Sequence, residues 1–280
     1  MLRAVYMDLD GTLLGPGGSL FRAGDGGFTL GGARALEACA RAGIEVVIMT
    51  GRRQHGVYEL TRLIGQRSYI FELGCGLVLD GELEWLTGDC VPSPQAGTIH
   101  AQIAASSGPQ LLLKSFAGRL EYHTPWSEGR EVSHLFRGEV PLDGANALLE
   151  QAGLGWLRLV DNGVISGHGL ASGSGRHTGD GVGSLRAYHL IPACASKARA
   201  VARHMQNRGY EPDECMACGD SREDLDVADV VSSFWLMAGA VTHDPALPLA
   251  NPARGNVRIS VEGYGAGVYE AVITTLAEAR

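Results

Sequence analysis

The chain has 280 residues and a formal net charge of −8, with 45% hydrophobic and 19% charged residues. This length is enough for one large or two ordinary domains, and the acidic charge argues against a nucleic-acid-binding surface. The longest mostly apolar stretch, 234–241, is far shorter than the roughly 20 residues of a membrane-spanning helix. Met1 leads directly into the first strand-like run and the six cysteines are scattered, so we expect a cytoplasmic protein without nucleic-acid or membrane partners.

The first part of the chain alternates apolar strand-like runs with helical patterns. Predicted strands lie at 4–8, 44–49, 68–73 and 76–79, and predicted helices at 31–42 and 57–64. This alternation is typical of a parallel sheet with helices on both faces.

The pattern changes between residues 84 and 183, where half-polar runs replace the alternation. Strands are predicted at 111–116, 119–123 and 157–161, and a helix at 143–152. Residues 163–184 include eight glycines, a composition that predicts a mobile loop.

The alternation of strands and helices resumes after this region. Strands are predicted at 187–191, 214–218 and 233–237, and helices at 196–207, 224–230 and 267–278. The expected fold is therefore α/β, with a Rossmann-like parallel-sheet core (1–83 and 186–280) and helices on both faces. An α+β cap domain (84–185) interrupts this core.

Two carboxylates follow the first predicted strand, in the run Asp8-Leu9-Asp10-Gly11-Thr12. Charges this close repel each other unless a cation lies between them or one carboxylate holds a proton. The arrangement suits phosphate-ester chemistry, with Asp8 as nucleophile, Asp10 as proton donor and acceptor, and Mg²⁺ neutralising both. The alternative is that both are ordinary caps at the start of a loop.

Ligands of open α/β sheets bind outside the carboxyl ends of the strands, and two further strand ends carry suitable groups. The second strand is followed by Thr50, Gly51 and Arg52, which can bind phosphoryl oxygens at the start of a helix, although Thr50 could simply cap that helix. Lys197 lies in the first turn of a helix that otherwise uses arginine. A compact ammonium there suits a tight anionic pocket, and a solvated surface charge is the alternative.

The fourth strand end is Gly219-Asp220, and a second acid, Asp224, follows one helical turn later. Asp220 is suited to binding Mg²⁺ directly, and Asp224 could bind it or orient its waters. The alternative is that both acids cap a surface helix.

Together, Asp8-Leu9-Asp10-Gly11-Thr12, Thr50, Lys197 and Gly219-Asp220 with Asp224 resemble the four ordered motifs of the haloacid dehalogenase-like hydrolases. A cap between the second and third motifs resembles the subgroup of Cof-type, sucrose-phosphate and mannosyl-3-phosphoglycerate phosphatases. The resemblance implies an aspartyl-phosphate on Asp8, acid–base catalysis by Asp10, and phosphoryl binding by Thr50 and Lys197. It also implies a Mg²⁺ site formed by Asp8, the backbone carbonyl of Asp10, Asp220 and Asp224.

The expected activity is Mg²⁺-dependent hydrolysis of a small phosphorylated metabolite, with sugar phosphates among the candidates. Two alternatives remain open at this point: a phosphomutase using the same aspartyl-phosphate, and a catalytically silent ligand-binding relative. Positive charge in the predicted cap could steer an anionic substrate or form an ordinary solvated face; its carriers are Lys114, Arg119, His123, Arg130, His134 and Arg137.

Overall fold

The computed structural model describes residues 1–165, 185–244, 247 and 255–278. The chain divides into two compact units. The first unit combines Met1–Leu86 with Ser196–Arg280, and the second unit is Thr87–Ala195. No helix within the described ranges is both long and apolar enough to cross a bilayer.

The strands and helices of the first unit up to Leu86 are, in chain order, β1 (Ala4–Met7), α1 (Gly31–Arg41), β2 (Glu45–Met49), α2 (Gln54–Leu63), β3 (Tyr69–Phe71), β4 (Gly76–Leu79) and β5 (Glu82–Trp85). The second unit contains α3 (Ile99–Ala105), α4 (Gly108–Ser115), β6 (Leu120–Tyr122), β7 (His134–Gly138), α5 (Leu142–Gln151), β8 (Leu157–Val164) and β9 (Arg186–Pro192). The first unit then continues with α6 (Lys197–Arg208), β10 (Cys215–Gly219), α7 (Arg222–Leu225), β11 (Ser233–Leu236), α8 (Ala238–His243), β12 (Val257–Ile259) and α9 (Tyr264–Glu278).

The described strands of the first unit form one sheet in the order β12-β11-β10-β1-β2-β3-β4-β5. The six strands from β12 to β3 are parallel, and β4 and β5 continue the sheet as antiparallel strands. The α/β fold expected from the sequence is confirmed. The chain moves outward from β1 through β2 and β3, and β10 returns on the other side of β1, so a topological switch point lies between β1 and β10.

Helices cover both faces of this sheet, and the alternation of side chains along β1 explains how. Val5 and Met7 belong to a buried cluster that includes residues of α1 and α9. Ala4 and Tyr6 point the other way, into a cluster that includes residues of α6. A strand with both faces covered has no polar face, which is why β1 is an uninterrupted apolar run.

Helix α6 is held at both ends. Ser196 caps its first turn by accepting a hydrogen bond from the Arg199 amide, and Arg208 in its last turn donates to Glu45 at 2.8 and 3.2 Å. Burial raises the pKa of Glu45, but the neighbouring His204, Arg208 and Tyr210 outweigh it and lower that pKa to about 2. Glu45 is thus a charged anchor for the end of α6 farthest from Lys197.

The second unit has an antiparallel sheet in the order β6-β7-β9-β8, together with α3, α4 and α5. The sequence prediction is right for the elements now seen as β6, β8 and α5. It misses α3 and β7, which the described part of this unit contains.

One predicted strand is wrong, and another is a strand but belongs to the other sheet. Residues 111–116 lie mostly in helix α4, because the apolar run Leu111-Leu112-Leu113 suits a helix as well as a strand. Residues 187–191 form a strand, but it is β9, which pairs with β7 and β8 in the second unit instead of extending the core sheet. The change of unit accordingly falls between Ala195 and Ser196, ten residues later than predicted.

Two other predictions differ in detail. The helix expected over 224–230 is the short α7 followed by a 3-10 turn, Asp226–Asp229. The mobile loop predicted over 163–184 lies outside the described residues from 166 onward.

Candidate active site

The site lies where β1 and β10 end, at the switch point of the parallel sheet. The Asp8 amide donates to the Cys218 carbonyl at 3.1 Å, which extends the pairing of the two strands by one step. Asp8 and Asp220 therefore leave the sheet side by side.

Gly11 allows the loop after β1 to pass close to Asp220. Its φ is +91°, and a Cβ at this position would overlap the Asp220 carboxylate. Beside it, the buried Thr12 hydroxyl donates to Asp220 Oδ1 at 3.0 Å. Glycine is thus required both for the positive φ and for the close approach.

Lys197 is the first residue of α6, and its ammonium lies between two carboxylates. Nζ donates to Asp8 Oδ1 at 2.7 Å and to Asp224 Oδ1 at 2.6 Å, and the side chain is 1% exposed. Burial lowers the pKa of Lys197, but the charges of Asp224 and Asp8 more than offset it, so the net pKa is raised and the group stays protonated.

The loop after β3 packs against the same turn of α6. Gly74 has φ +88°, and a Cβ there would overlap the Ser196 carbonyl. This close approach of backbone to backbone fixes the start of α6, and with it the position from which Lys197 extends.

Asp8, Asp220 and Asp224 form an acidic cluster in which one carboxylate oxygen from each residue lies within 4.8 Å of the others. Burial raises the pKa of Asp8 to about 7; Lys197 opposes this shift and Asp224 adds to it. The pKa of Asp220 is raised well above its usual range by burial and by the charges of Asp8 and Asp224. With all three carboxylates ionised, the single ammonium would leave an excess of two negative charges, which a divalent cation with oxygen ligands would neutralise.

Both carboxylate oxygens of Asp224 already have partners. Oδ1 accepts from Lys197, while Oδ2 accepts from the Ser221 hydroxyl at 2.6 Å and from the Ser221 amide at 3.0 Å. Asp224 therefore orients both the ammonium and the loop that carries Asp220. Ser221 was not among the predicted residues, although Ser-x-x-Asp before a helix is a recognised capping pattern.

Asp10 belongs to a second, more open group. Its carboxylate accepts from Arg52 Nε at 2.7 Å and from Arg52 Nη2 at 2.5 Å, and its side chain is 53% exposed. Bidentate pairing fixes the plane of a carboxylate as well as its position. The side chain of Asp10 is not part of the acidic cluster formed by Asp8, Asp220 and Asp224.

Thr50 and Gly51 follow β2, which is the sheet neighbour of β1. Thr50 is buried, and its hydroxyl accepts from the Arg52 amide at 3.2 Å. This local hydrogen bond is of the kind expected for a residue that shapes a turn, and it turns Arg52 toward Asp10.

In the second unit, several of the basic residues predicted to attract substrate have partners of their own. Arg137 pairs with Glu121 at 2.6 Å, and the buried His134 is 3.1 Å from the Tyr122 hydroxyl. Arg119 donates to the Glu139 carbonyl. These contacts favour a role in the structure of the second unit, and not in attracting substrate, for Arg119, His134 and Arg137.

Comparison with known proteins supports a phosphatase. No protein-family model matches the chain. It is 24% identical to a phosphoglycolate phosphatase of Methanoculleus marisnigri over 275 residues, covering 97% of this chain and 96% of the relative. Because the match spans nearly the whole of both proteins, it applies to the complete chain and not to a single motif.

Among solved structures, the sucrose-phosphatase of Synechocystis sp. PCC6803, in complex with sucrose and phosphate, matches with a TM-score of 0.62. The identity is 15%, and 98% of each chain is covered. BT1666 of Bacteroides thetaiotaomicron, one of the phosphatases of the haloalkanoate (HAD) enzyme superfamily, matches with a TM-score of 0.61 at 16% identity, covering 98% of this chain and 95% of its own.

The chain thus has the fold of these phosphatases, one of which belongs to the HAD superfamily, and at the level of the fold this agrees with the resemblance predicted from the sequence. Phosphatase is the enzyme class that these relatives support for the chain.

Proposed function

We propose that this protein is a Mg²⁺-dependent phosphatase that hydrolyses a small phosphorylated metabolite through an aspartyl-phosphate on Asp8. The observation that carries the proposal is the convergence of the buried Asp8, Lys197 and Asp224 with the half-buried Asp220 at one end of the sheet. The relatives named above for phosphoglycolate and sucrose-phosphate support a small substrate, and a sugar phosphate is one candidate.

Asp8 is the proposed nucleophile. Because Lys197 occupies Oδ1, Oδ2 is the oxygen that attacks phosphorus, forming an O–P bond as the bond to the leaving oxygen breaks. The Lys197 ammonium, with Thr50, Gly51 and Arg52, would hold the phosphoryl oxygens while negative charge shifts among them.

Asp10 is the proposed proton carrier. It gives a proton to the leaving oxygen in the first step, and in the second it takes one from the water that attacks the aspartyl-phosphate. That second step releases inorganic phosphate and restores the Asp8 carboxylate. Arg52 orients the Asp10 carboxylate, and one of these two hydrogen bonds must open when Asp10 takes up the proton that it transfers.

Mg²⁺ would be held by Asp8, Asp220 and the backbone carbonyl of Asp10, with Asp224 contributing to the same site. The excess negative charge of the cluster fits such an ion. When bound, it supplies positive charge that offsets the cluster and allows a phosphate dianion to approach.

The test is phosphate release by the purified full chain over a panel of phosphate monoesters that includes phosphoglycolate and sucrose phosphate. We expect turnover with MgCl₂, loss of turnover in EDTA and recovery when Mg²⁺ is restored. Asp8→Asn should lower kcat by at least about 10³-fold, whereas Asp143→Asn, at an exposed position in α5, should not. Turnover that persists in EDTA would refute the metal role, and an active Asp8→Asn variant would refute the nucleophile.

A further inference from the structure

Two cysteines lie beside the points where the chain enters and leaves the second unit. This unit runs from Thr87 to Ala195, so Cys90 is three residues inside its start and Cys194 is one residue before its end. Cys90 is half-buried and Cys194 is exposed. The two cysteines therefore lie on the two segments that connect this unit to the rest of the chain.

A tight turn brings the Cys90 segment against Cys194. The Cys90 amide donates to the Thr87 carbonyl at 3.3 Å, and the Thr87 hydroxyl donates to the Cys90 carbonyl at 2.6 Å. Within this turn, Gly88 has φ +66°, and a Cβ on Gly88 would lie 3.3 Å from Cys194 Sγ. The sulfur of Cys194 thus rests on the turn that carries Cys90.

The titration of the Cys90 thiol depends on the charge of Cys194. Burial raises the pKa of the Cys90 thiol, and the charge of a Cys194 thiolate raises it further. The Cys90 thiol additionally lies 3.3 Å from Gln102 Oε1, which keeps its side chain within the fold.

The other four cysteines differ from this pair, because all of them are buried; they are Cys39, Cys75, Cys215 and Cys218. Burial raises the pKa of Cys218 and Cys39. A reagent in solution therefore meets Cys194 first, since exposure and thiolate content together govern thiol reactivity.

We propose that Cys90 and Cys194 form a reversible disulfide that fastens together the incoming and outgoing segments of the second unit. The oxidant is a small-molecule disulfide such as oxidised glutathione. The Cys194 thiolate attacks it, forming a mixed disulfide and releasing one glutathione thiolate. The Cys90 thiolate then attacks the Cys194 sulfur and releases the second glutathione, so two protein thiols are oxidised and one glutathione disulfide is reduced to two thiols.

The proposal concerns the second unit alone and does not depend on the enzymatic activity. A link between two segments that are far apart in sequence restricts the unfolded chain more than the folded one. We therefore expect the oxidised protein to unfold at a higher temperature than the reduced protein, and reduction by dithiothreitol to reverse the difference.

The experiment treats the folded full chain with oxidised glutathione, then blocks the remaining thiols under denaturing conditions and digests with trypsin. Cleavage at the basic residues places Cys90 in peptide 68–114 and Cys194 in peptide 187–197. We expect loss of two of the six thiols and a reducible link between these peptides, with fragmentation assigning it to Cys90 and not to Cys75. The four buried cysteines, which stay reduced, are the internal control.

Two variants complete the test. Cys90→Ser should leave Cys194 carrying one glutathione and no internal link, and Cys194→Ser, a change at an exposed turn, should leave Cys90 without a cross-link. Neither variant should gain stability from oxidation. The proposal is overturned if wild-type protein keeps all six thiols, if Cys194 holds glutathione without forming the link, or if the link joins Cys194 to Cys75.

Discussion

Replacing Lys197 with methionine tests the charge balance of the site directly. Methionine keeps much of the length of the side chain and removes the ammonium that bonds to Asp8 and Asp224 at 2.7 and 2.6 Å. The buried carboxylates of Asp8 and Asp224 and the half-buried carboxylate of Asp220 then face one another without a cation. The chain supplies a matched control, since Lys114 is the one other lysine in the sequence and lies exposed in α4.

The cost of this replacement follows from burial. Removing one partner of a buried ion pair costs about 3–5 kcal/mol, because the remaining charge is left without compensation. For a protein of this size, each kcal/mol lowers the melting temperature by about 2–4 °C, so a fall of about 6–20 °C is expected. The loss should be largest in EDTA and smaller in MgCl₂, since a divalent ion would neutralise the same carboxylates.

Thermal unfolding followed by circular dichroism, in EDTA and in MgCl₂, measures this effect for Lys197→Met and Lys114→Met. Phosphate release on the best substrate should fall by at least about 10²-fold in Lys197→Met, and Lys114→Met is the control for the melting temperature. Equal melting temperatures for the two variants in EDTA would show that the ammonium does not balance the carboxylates, and the charge argument would then be wrong.

Three further changes test other parts of the molecule. Gly11→Ala should push the Asp220 carboxylate aside, lowering kcat and Mg²⁺ affinity in steady-state assays while the fold, followed by circular dichroism, is retained. Arg52→Ala frees the Asp10 carboxylate, so hydrolysis of alkyl phosphates should slow by roughly 10- to 100-fold, and hydrolysis of p-nitrophenyl phosphate, whose leaving group needs no proton, should slow less. The pKa of Glu45, lowered from 4.5 to about 2 in the fold, stabilises the protein above about pH 5 by up to about 3 kcal/mol; urea unfolding should show this loss as the pH falls toward 2, and Glu45→Gln should flatten the pH dependence.

Each of these expectations has a contrary outcome. Full activity in Gly11→Ala would mean that the loop after β1 can move away from Asp220. Equal slowing of both substrates in Arg52→Ala would indicate that Arg52 acts through phosphate binding alone and does not position Asp10. An unchanged acid transition in Glu45→Gln would show that the contacts at the end of α6 carry no net stability.

The first unit was largely predictable because its central strands are short, buried on both faces and therefore almost continuously apolar. The runs that became β1, β2 and β10 each end abruptly at a polar or glycine-containing segment, which marks the carboxyl edge of a parallel sheet. If the carboxyl ends of β1 and β10 lie side by side in a parallel sheet, then Asp8 lies beside Asp220. The observed pairing of β1 with β10 has this arrangement.

The second unit was harder because its elements are half-exposed and their patterns are short. The run Leu111-Leu112-Leu113 has no period that separates helix from strand, and the preceding Ser107-Gly108-Pro109 was the better signal, since proline suits the first turn of a helix. Strand β9 follows a long glycine-rich stretch, and nothing in its own residues tells whether it pairs with one sheet or the other. Its partner β7 contains His134 and Arg137, so the alternation of apolar and polar residues that would indicate a strand is weak there.

The choice of lysine at position 197 shows what composition could and could not reveal about the site. In a chain with 21 arginines and two lysines, a lysine at the start of α6 indicates a tight anionic pocket, with a solvated surface charge as the alternative. The structure supplies the reason, because Nζ bonds to the carboxylates of Asp8, after β1, and Asp224, in α7, while the whole side chain is 1% exposed. A planar fork with five donors would leave N–H groups without acceptors in such a space. The hydrogen-bond partners of the two Asp224 oxygens could not be predicted in this way. The spacing of the motif identifies Asp224 as a residue of the site, but it does not show that one oxygen accepts from Lys197 and the other from Ser221.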